Sequence, residues 1–328
     1  MPGDLSSALR TASSGLLANQ RAMDAVANNV ANVNTLGYSR KAVQFESRAA
    51  STGAGTGVDL GPLLRTIDDG LMRSIRAERG DLGALSVQDN YFARIGDVFG
   101  SPESNTTLSH RLSAFDGAVR SLALVPHDSI EQREVVRRAD DITDALRHSA
   151  ATVQTLRADA DADIGETVAE INTLVSRLAD LNDTIVRETA VGRETGDAAD
   201  QRDRAIDRLA ELIDIRVFAR GDGDTTILTA SGRTLLDGTA APVSHNRVTL
   251  VDAASSYAGG NFDAITIGSG ATAQDITAEI RGGRLAGLIE MRDAILPGLQ
   301  STLDTLAAEL RDTMNAAHNA GLPYPGLT

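Results

Sequence analysis

Apolar residues at the start of the chain recur at alternating steps of four and three residues. This spacing predicts a helix with a heptad stripe along one face. The stripe consists of Leu5, Leu9, Ala12, Leu16, Asn19, Met23, Val26, Val30 and Val33. Its residues are mostly small or medium in size, so the helix needs neighbouring helices for burial. We therefore expect an assembly surface, with residues 1 to about 40 helical only on assembly. The periodicity alone also fits an amphipathic helix of a monomer.

The same three-and-four spacing predicts two shorter helices further along the chain. The stripe of the first helix is Leu85, Phe92, Ile95 and Phe99, and that of the second is Leu108, Leu112, Phe115, Val119 and Leu122. We expect these stripes to be the buried faces of the two helices.

The longest predicted helix extends from about Glu131 to Glu188, a stretch without proline. Its apolar seam consists of Ile142, Leu146, Val153, Leu156, Ala160, Ile164, Val168, Ile171, Val175, Leu178 and Ile185. A continuous helix of this length would measure about 85 Å at 1.5 Å per residue, so we expect an elongated molecule. Extra steps of four around 160–168 indicate a stutter, which would place any bend near Gly165.

The periodicity changes from 3.6 to 2 after a shorter helix over residues 200–213. Short strands are predicted at 215–219, 225–229, 233–236, 248–251 and 264–267, with glycine-containing turns between them. A leucine seam then returns from Leu285 to Leu310, and Pro297 is expected to kink this helix or to start its main segment. We expect the returning helix to pack antiparallel to the longest helix.

These elements predict a fold that is mainly α with a small β-rich insert, built as an elongated bundle of long heptad-patterned helices. The pattern divides the chain into four segments. They are an N-terminal helix and Asn-rich turn over residues 1–50, a long-helix bundle over 51–214, the β-rich insert over 215–280 and the returning helix over 281–328.

Two segments suggest ligand sites at first sight. The glycine-rich stretch from Ser51 to Gly61 lacks the spacing and the lysine of a nucleotide-binding loop, so we interpret it as a loop or hairpin. Asp159, Asp161, Asp163 and Glu170 occupy positions one, three, five and twelve of a calcium loop, but Ile164 stands where that loop needs glycine. We interpret these four acids as a solvated helix face and expect no metal.

Composition narrows the range of functions. The 328 residues carry a formal net charge of −14, which works against binding to nucleic acid or to anionic membranes. Aromatic residues make up 3% of the chain, so the core must consist of aliphatic side chains, and there is no cysteine to form a disulfide, a thiolate metal site or a nucleophile. The first twenty residues lack the basic and apolar regions of a cleaved signal peptide.

No pattern of catalytic residues stands out. The five histidines His110, His127, His148, His245 and His318 are scattered without a metal-binding motif, and we expect them at the surface or at helix ends. We therefore expect no enzyme activity and no cofactor.

The stretch SSGLLANQRAMDAVANNVANVNTLGYSRK resembles the N-terminal signature of flagellar axial proteins, the group of rod, hook and hook-associated subunits. The family's usual Asn-Asn, Ala-Asn, Asn-Thr and Gly-Tyr positions correspond to Asn28, Asn29, Asn32, Asn34, Gly37 and Tyr38. Leu36 replaces the proline that is common before this glycine. In physical terms the stretch predicts a helix that ends in an Asn-rich turn.

The rest of the chain is similar to the hook-associated protein 1 family, because long helices follow the signature where rod and hook subunits have β-rich bodies. The runs VAEINTLVSRLADLNDTIV and DAADQRDRAIDRLAEL are among the segments that carry this resemblance. It implies a structural subunit at the junction between hook and filament, exported by the flagellar type III pathway without a cleaved signal peptide. Implied partners are further copies of the chain in a ring, the hook protein, hook-associated protein 3 and an export chaperone.

One departure concerns the C-terminal end. Members of the family have a C-terminal helical segment that pairs with the N-terminal helix, whereas this sequence ends at GLPYPGLT. We expect either a truncated form or a fragment, or a partner chain that supplies the missing helix. Alternative functions are another axial protein of the rod or hook and, in a different class, a coiled-coil signalling module.

Overall fold

The computed structural model of the protein describes residues 2–48, 57–100, 105 and 107–321, with side chains from residue 5 onward. Most of these residues are helical and a minority form small antiparallel sheets, which confirms the predicted fold class. The α-helices are α1 (Pro2–Ala31), α2 (Asp69–Phe99), α3 (Leu108–Leu124), α4 (Ser129–Ala190), α5 (Gly196–Leu212), α6 (Gly283–Glu290) and α7 (Leu296–Ala320). Among the described helices, none is both long and apolar enough to cross a membrane.

The chain folds into two compact units. The first consists of Met1–Asp81, Ala169–Val243 and Ile267–Ala273, and the second of Leu82–Val168, Ser244–Thr266 and Gln274–Thr328. The division into four segments rests on the sequence pattern alone and stays a prediction.

The strands are short and lie mainly in the first unit. They are β1 (Arg40–Ser47), β2 (Val58–Thr66), β3 (Ile215–Ala219), β4 (Thr225–Thr229), β5 (Thr234–Asp237), β6 (Thr239–Ala240), β7 (Val243–Ser244), β8 (Thr266–Ile267) and β9 (Gln274–Asp275). β1 and β2 form an antiparallel hairpin with a bulge between Val43 and Phe45, and β3 to β6 form a four-stranded antiparallel sheet. The sequence pattern missed β1 and β2 as strands, although it placed a loop or hairpin at the glycine-rich stretch between them. Residues 51–56 of that stretch lie outside the described residues.

The core of the first unit lies where α4, α5 and the four-stranded sheet meet. Its buried apolar side chains include Ile171, Val175, Leu178 and Ile185 of α4, Ile206, Leu209 and Leu212 of α5, and Ile227, Leu235 and Leu236 of the sheet. The seam predicted for the longest helix is therefore confirmed here, and α4 continues without interruption through Gly165.

Helix α1 packs on the β1–β2 hairpin with its small residues. Ala18 and Ala25 are buried, and Ser14 accepts a hydrogen bond from the Val58 amide through its Oγ at 3.2 Å. The helix thus forms within a single chain, which differs from our expectation that residues 1 to about 40 become helical only on assembly. The physical reason is that the hairpin provides the burial that the heptad stripe does not.

The second unit is organised around the N-terminal part of α4. Three contacts join α4 to the returning segment in reverse chain order. Gln154 binds Gln300, Arg157 binds the Arg292 carbonyl, and Thr167 binds Arg284. The returning helix is therefore antiparallel to α4, as predicted. One π-helical turn, Met291–Ile295, separates α6 from α7, and Pro297 lies in the first turn of α7, so proline starts the main segment.

Helix α2 was predicted with the correct spacing, but two of the four residues in its predicted buried stripe are exposed, and the other two, Ile95 and Phe99, are half-buried. Leu85 and Phe92 are 60% and 51% exposed, whereas Val87 and Tyr91 are buried. The cause is a polar anchor: the Tyr91 hydroxyl donates to Asp163 of α4 at 3.1 Å, which turns the Tyr91 side of α2 inward. Hydrophobicity alone ranks Leu85 and Phe92 above Tyr91 and cannot identify this contact.

The strand predicted at 248–251 is wrong. This segment is irregular, and the Val248 amide donates at 2.7 Å to the buried carboxylate of Asp161 instead of to a neighbouring strand. A side chain that captures the amide removes the hydrogen bond on which strand pairing depends.

Glycine at position 287 allows α6 to approach α2 closely. A Cβ atom at Gly287 would lie 2.7 Å from the Ala84 carbonyl oxygen, whereas a Cβ at Gly298 of α7 would meet no heavy atom within 4 Å. We expect Gly287→Ala to destabilise the protein by about 1 to 3 kcal/mol because the helices must separate. The control Gly298→Ala should stabilise it by about 0.4 to 1 kcal/mol. Urea unfolding curves of the two variants measure both changes, and equal effects would contradict the close packing.

Candidate functional site

The Asn-rich motif connects the end of α1 to the start of β1. Asn29, near the end of α1, accepts hydrogen bonds through its Oδ1 from the Tyr38 hydroxyl at 3.0 Å and the Lys41 amide at 2.9 Å. Its Nδ2 donates to the Lys41 carbonyl at 2.8 Å. One amide side chain therefore fixes the direction in which the chain leaves α1.

The remaining motif residues shape the turn itself. Asn32 donates through its Nδ2 to the Asn28 carbonyl at 3.0 Å and accepts from the Thr35 hydroxyl at 3.2 Å. Gly37 has a positive φ of 73°, which favours glycine, and a Cβ there would lie 2.4 Å from Arg204 Cγ. The structure thus brings Asn28, Asn29, Asn32, Gly37 and Tyr38 together in one turn.

Asn34 is exposed, and its side chain has no hydrogen-bond partner among the described residues, unlike the side chains of Asn29 and Asn32. It therefore makes a matched control for Asn29. We expect Asn29→Ala to lower the free energy of local opening at Lys41 by about 1 to 3 kcal/mol, since it leaves the Lys41 amide without its acceptor. Asn34→Ala should change stability by less than about 0.5 kcal/mol. Amide hydrogen exchange at Lys41 is the measurement, and equal exchange rates in the two variants would contradict the assigned role of Asn29.

Lys41 continues the contact network from β1 to α5. Its ammonium forms an ion pair with Asp197, lies 3.5 Å from Asp200 Oδ2 and stands 4.8 Å from the centroid of the Tyr38 ring. Burial works to lower the pKa of Lys41, but the hydrogen bond and charge of Asp197 outweigh it, together with the charge of Asp200, so the pKa is raised. Lys41 is the single lysine of the sequence.

A row of acidic side chains on α5 holds the arginines of the hairpin and of α2. The carboxylates stand at steps of three and four, so they share one face of the helix. The contacts are Arg65 with Asp200 and Asp203, Arg76 with Asp203 and Asp207, and Arg79 with Asp207 and Glu211. β2 and the first part of α2 are thereby fastened to α5 by ion pairs that are largely shielded from water.

The heptad stripe of α1 lies on the other side of the helix and faces solvent. Leu5, Leu9, Leu16, Met23, Val26 and Val30 are each between 60% and 80% exposed, and Val33 is 74% exposed. Contiguous apolar side chains exposed along one face mark an interaction surface. The site therefore combines a polar anchor at the end of α1 with an open apolar face along it.

The residues of α5 and Lys41 were missed by sequence reasoning. A signal was present, because Asp197, Asp200, Asp203, Asp207 and Glu211 form an i, i+3, i+4 stripe in the run DAADQRDRAIDRLAEL. Acidic stripes on helices usually face water, and the sequence does not show that a basic hairpin covers this one.

The four acids that imitate a calcium loop have other partners. They lie on the continuous helix α4, where Asp159 pairs with Arg94, Asp163 accepts from Tyr91 and Glu170 pairs with Arg208. Within the described part of the chain, no group of three or more acidic or histidine side chains could hold a metal ion.

Asp161 was expected on a solvated helix face and His245 at the surface or at a helix end, but the structure buries both side chains. Asp161 is fully buried instead of solvated, and it binds Arg292 at 2.7 Å, His245 at 3.1 Å and the Val248 amide. Burial works to raise the pKa of Asp161, but the hydrogen bonds from His245, Val248 and Arg292 lower it below its usual value. The His245 side chain is fully buried as well, because it serves this carboxylate.

Comparison with known proteins identifies the family. A family model for flagella basal body rod proteins matches residues 9–38, the region of the Asn-rich motif. A second family model, described as the helical domain of flagellar hook-associated protein FlgK, matches residues 92–327, which is most of the chain. This chain belongs to the FlgK family of flagellar hook-associated proteins.

Characterised members of the FlgK family are similar over nearly all of this chain. The flagellar hook-associated protein 1 of Salmonella typhimurium is 26% identical over 335 residues, which cover 98% of this chain and 58% of that protein. The protein of the same name from Bacillus subtilis is 26% identical over 347 residues, which cover 97% and 68%. The chain thus spans somewhat more than half the length of the Salmonella relative.

A solved structure shows the shared fold. The flagellar hook junction protein FlgK from Burkholderia pseudomallei superposes with a TM-score of 0.56 over 68% of this chain and 39% of that chain, at 18% identity. The FlgK family consists of structural flagellar proteins, and the resemblance to flagellar axial proteins seen in the sequence is confirmed.

Proposed function

We propose that this FlgK-family chain is a structural subunit of the junction between hook and filament and acts without catalysis. The exposed apolar face of α1 carries the proposal, because an isolated subunit gains nothing from seven apolar side chains in water. Neighbouring subunits in an assembly would remove that face from water. The anchor at Asn29 and Lys41 would then transmit load from α1 to the body of the first unit.

The location and partners follow from the same proposal. The chain would leave the cell through the flagellar type III pathway with the aid of an export chaperone and form a ring with further copies of itself. The hook protein would lie on one side of this ring and hook-associated protein 3 on the other. Family membership supports these assignments, and it favours them over a coiled-coil signalling module.

Immunogold electron microscopy tests the proposal. An epitope can be inserted between Ser231 and Gly232, in the turn that joins β4 to β5. This insertion changes no residue of α1 or of the acidic face of α5. Flagella from cells that carry this version as their single copy should show gold at one narrow position, where the hook meets the filament. Gold along the whole hook or rod would assign the chain to another axial structure, and tagged protein that never leaves the cell would contradict an external role.

A further inference from the structure

Asp200 differs from the other carboxylates of α5 in what it holds. Its side chain is 3% exposed, and its Oδ1 accepts from the Ser39 hydroxyl at 2.5 Å and from Arg65 Nε at 2.9 Å. Its Oδ2 lies 3.5 Å from the Lys41 ammonium. Ser39 and Lys41 flank the first residue of β1, and Arg65 pairs with Lys41 near the end of β2, so one buried carboxylate holds both strands at the open end of the hairpin.

The neighbouring acids do not duplicate this role. Asp203 and Asp207 hold Arg65, Arg76 and Arg79, which belong to β2 and α2. Asp197 accepts the hydrogen bond of Lys41, but its side chain is 87% exposed, so water competes for this contact. Asp200 is therefore the shielded contact between α5 and β1, the strand to which Asn29 ties the end of α1.

We infer that Asp200 is a positioning residue for assembly: through Ser39 and Lys41 it sets the direction in which the apolar face of α1 is presented to neighbouring subunits. This inference rests on the proposed function, because it concerns how α1 is offered to the assembly. Loss of the Asp200 charge should release β1 and α1 together while α5, α2 and the four-stranded sheet stay folded. Asp203 and Asp207 still hold Arg76 and Arg79 on α5.

The single lysine makes this release directly measurable. An acylating N-hydroxysuccinimide ester reacts with the free amine of Lys41 and blocks tryptic cleavage after it. The acylated chain therefore gives a tryptic peptide of residues 41–48, which lies between Arg40 and the cleavage after Arg48, whereas the unmodified chain gives residues 42–48. In the native chain the Lys41 side chain is 11% exposed and held by two carboxylates, so acylation should be slow. In Asp200→Asn it should be about ten-fold faster or more, because the local opening equilibrium loses the ion pair of Asp200 with Lys41 and the charge on the oxygen that accepts from Ser39 and Arg65.

Asp183→Asn is the control. Asp183 lies exposed on α4 in the same unit, so this substitution removes a carboxylate charge that holds neither Ser39, Lys41 nor the arginines bound by α5. Lys41 acylation in this control should stay within about two-fold of the native rate, the scale of ordinary surface changes. Amide exchange along α5 should be unchanged in Asp200→Asn, which separates release of β1 from unfolding of the unit. Equal acylation in the two variants would overturn the inference, and so would loss of protection throughout α5.

Assembly is the second arm of the test. Asp200→Asn should be exported at the native level but occupy the hook–filament boundary at less than about a tenth of the native density, while Asp183→Asn should occupy it normally. Faster acylation together with native occupancy would also overturn the inference, because α1 would then assemble without being positioned. If the native chain is itself absent from the boundary, the proposed function fails, whereas the acylation rates still report on the contact of Asp200 with Lys41.

Discussion

Replacing Asp161 by alanine should destabilise the second unit by about 3 to 5 kcal/mol, the usual cost of removing one partner from a buried ion pair. Arg292 and His245 are fully buried around this carboxylate, and the substitution leaves both side chains and the Val248 amide without their acceptor. Arg292 retains Asp293 at 2.8 Å, so the guanidinium stays partly paired. Urea unfolding, together with amide exchange at Val248, measures the change.

Asp140→Ala is the control for this prediction, because Asp140 lies exposed on the same helix and in the same unit. It should change the free energy of unfolding by less than about 0.5 kcal/mol. A similarly small loss for Asp161→Ala would show that the buried cluster does not hold the irregular segment 244–266 to α4.

Asp161 also makes the stability of the second unit depend on pH. The pKa of Asp161 is lowered in the folded chain, so its contribution to stability is complete above the unfolded pKa of about 3.9 and is lost as the pH falls through the folded value. Below about pH 4 the free energy of unfolding should therefore fall less steeply with decreasing pH in Asp161→Asn than in the native chain.

Replacing Ile171 by alanine should cost about 2 to 5 kcal/mol, and so should Leu178→Ala. Both side chains are completely buried on α4 in the first unit, so truncation removes apolar contacts and leaves a cavity. Ser176 lies on the exposed side of the same helix, and Ser176→Ala should change stability by less than about 0.5 kcal/mol. Denaturant titration provides the comparison, and an effect of Ile171→Ala as small as that of Ser176→Ala would contradict the assigned seam.

The long helix was predictable from sequence because burial there depends on apolar residues at a regular period. Nearly every seam residue from Ile142 to Ile185 is buried, and the strands at 215–219 and 225–229 have the predicted bounds. Polar contacts between distant segments account for the failures. Tyr91 turns α2 by binding Asp163, and Asp161 captures the Val248 amide from 87 residues away. Periodicity contains no information on such pairs.

The candidate site was predictable to a similar degree. The Asn-rich turn and the apolar stripe of α1 follow from local spacing and from the resemblance to axial proteins. The acidic face of α5 lies about 160 residues away along the chain, and no local rule joins Lys41 or Ser39 to Asp200. Only the folded chain shows that the run DAADQRDRAIDRLAEL holds the N-terminal segment.

Leu16 tests the proposed role of the exposed face of α1 in assembly most directly. Leu16 is 71% exposed on this face, and Leu250 is 84% exposed in the irregular segment of the second unit. Neither Leu16→Asp nor Leu250→Asp should change the stability of the isolated chain by more than about 0.5 kcal/mol. Occupancy of the hook–filament boundary, counted by immunogold labelling, should fall at least about ten-fold for Leu16→Asp, since a carboxylate would be buried between subunits, and stay native for Leu250→Asp. Native occupancy of Leu16→Asp, or an equal loss for both variants, would contradict an assembly role for this face of α1.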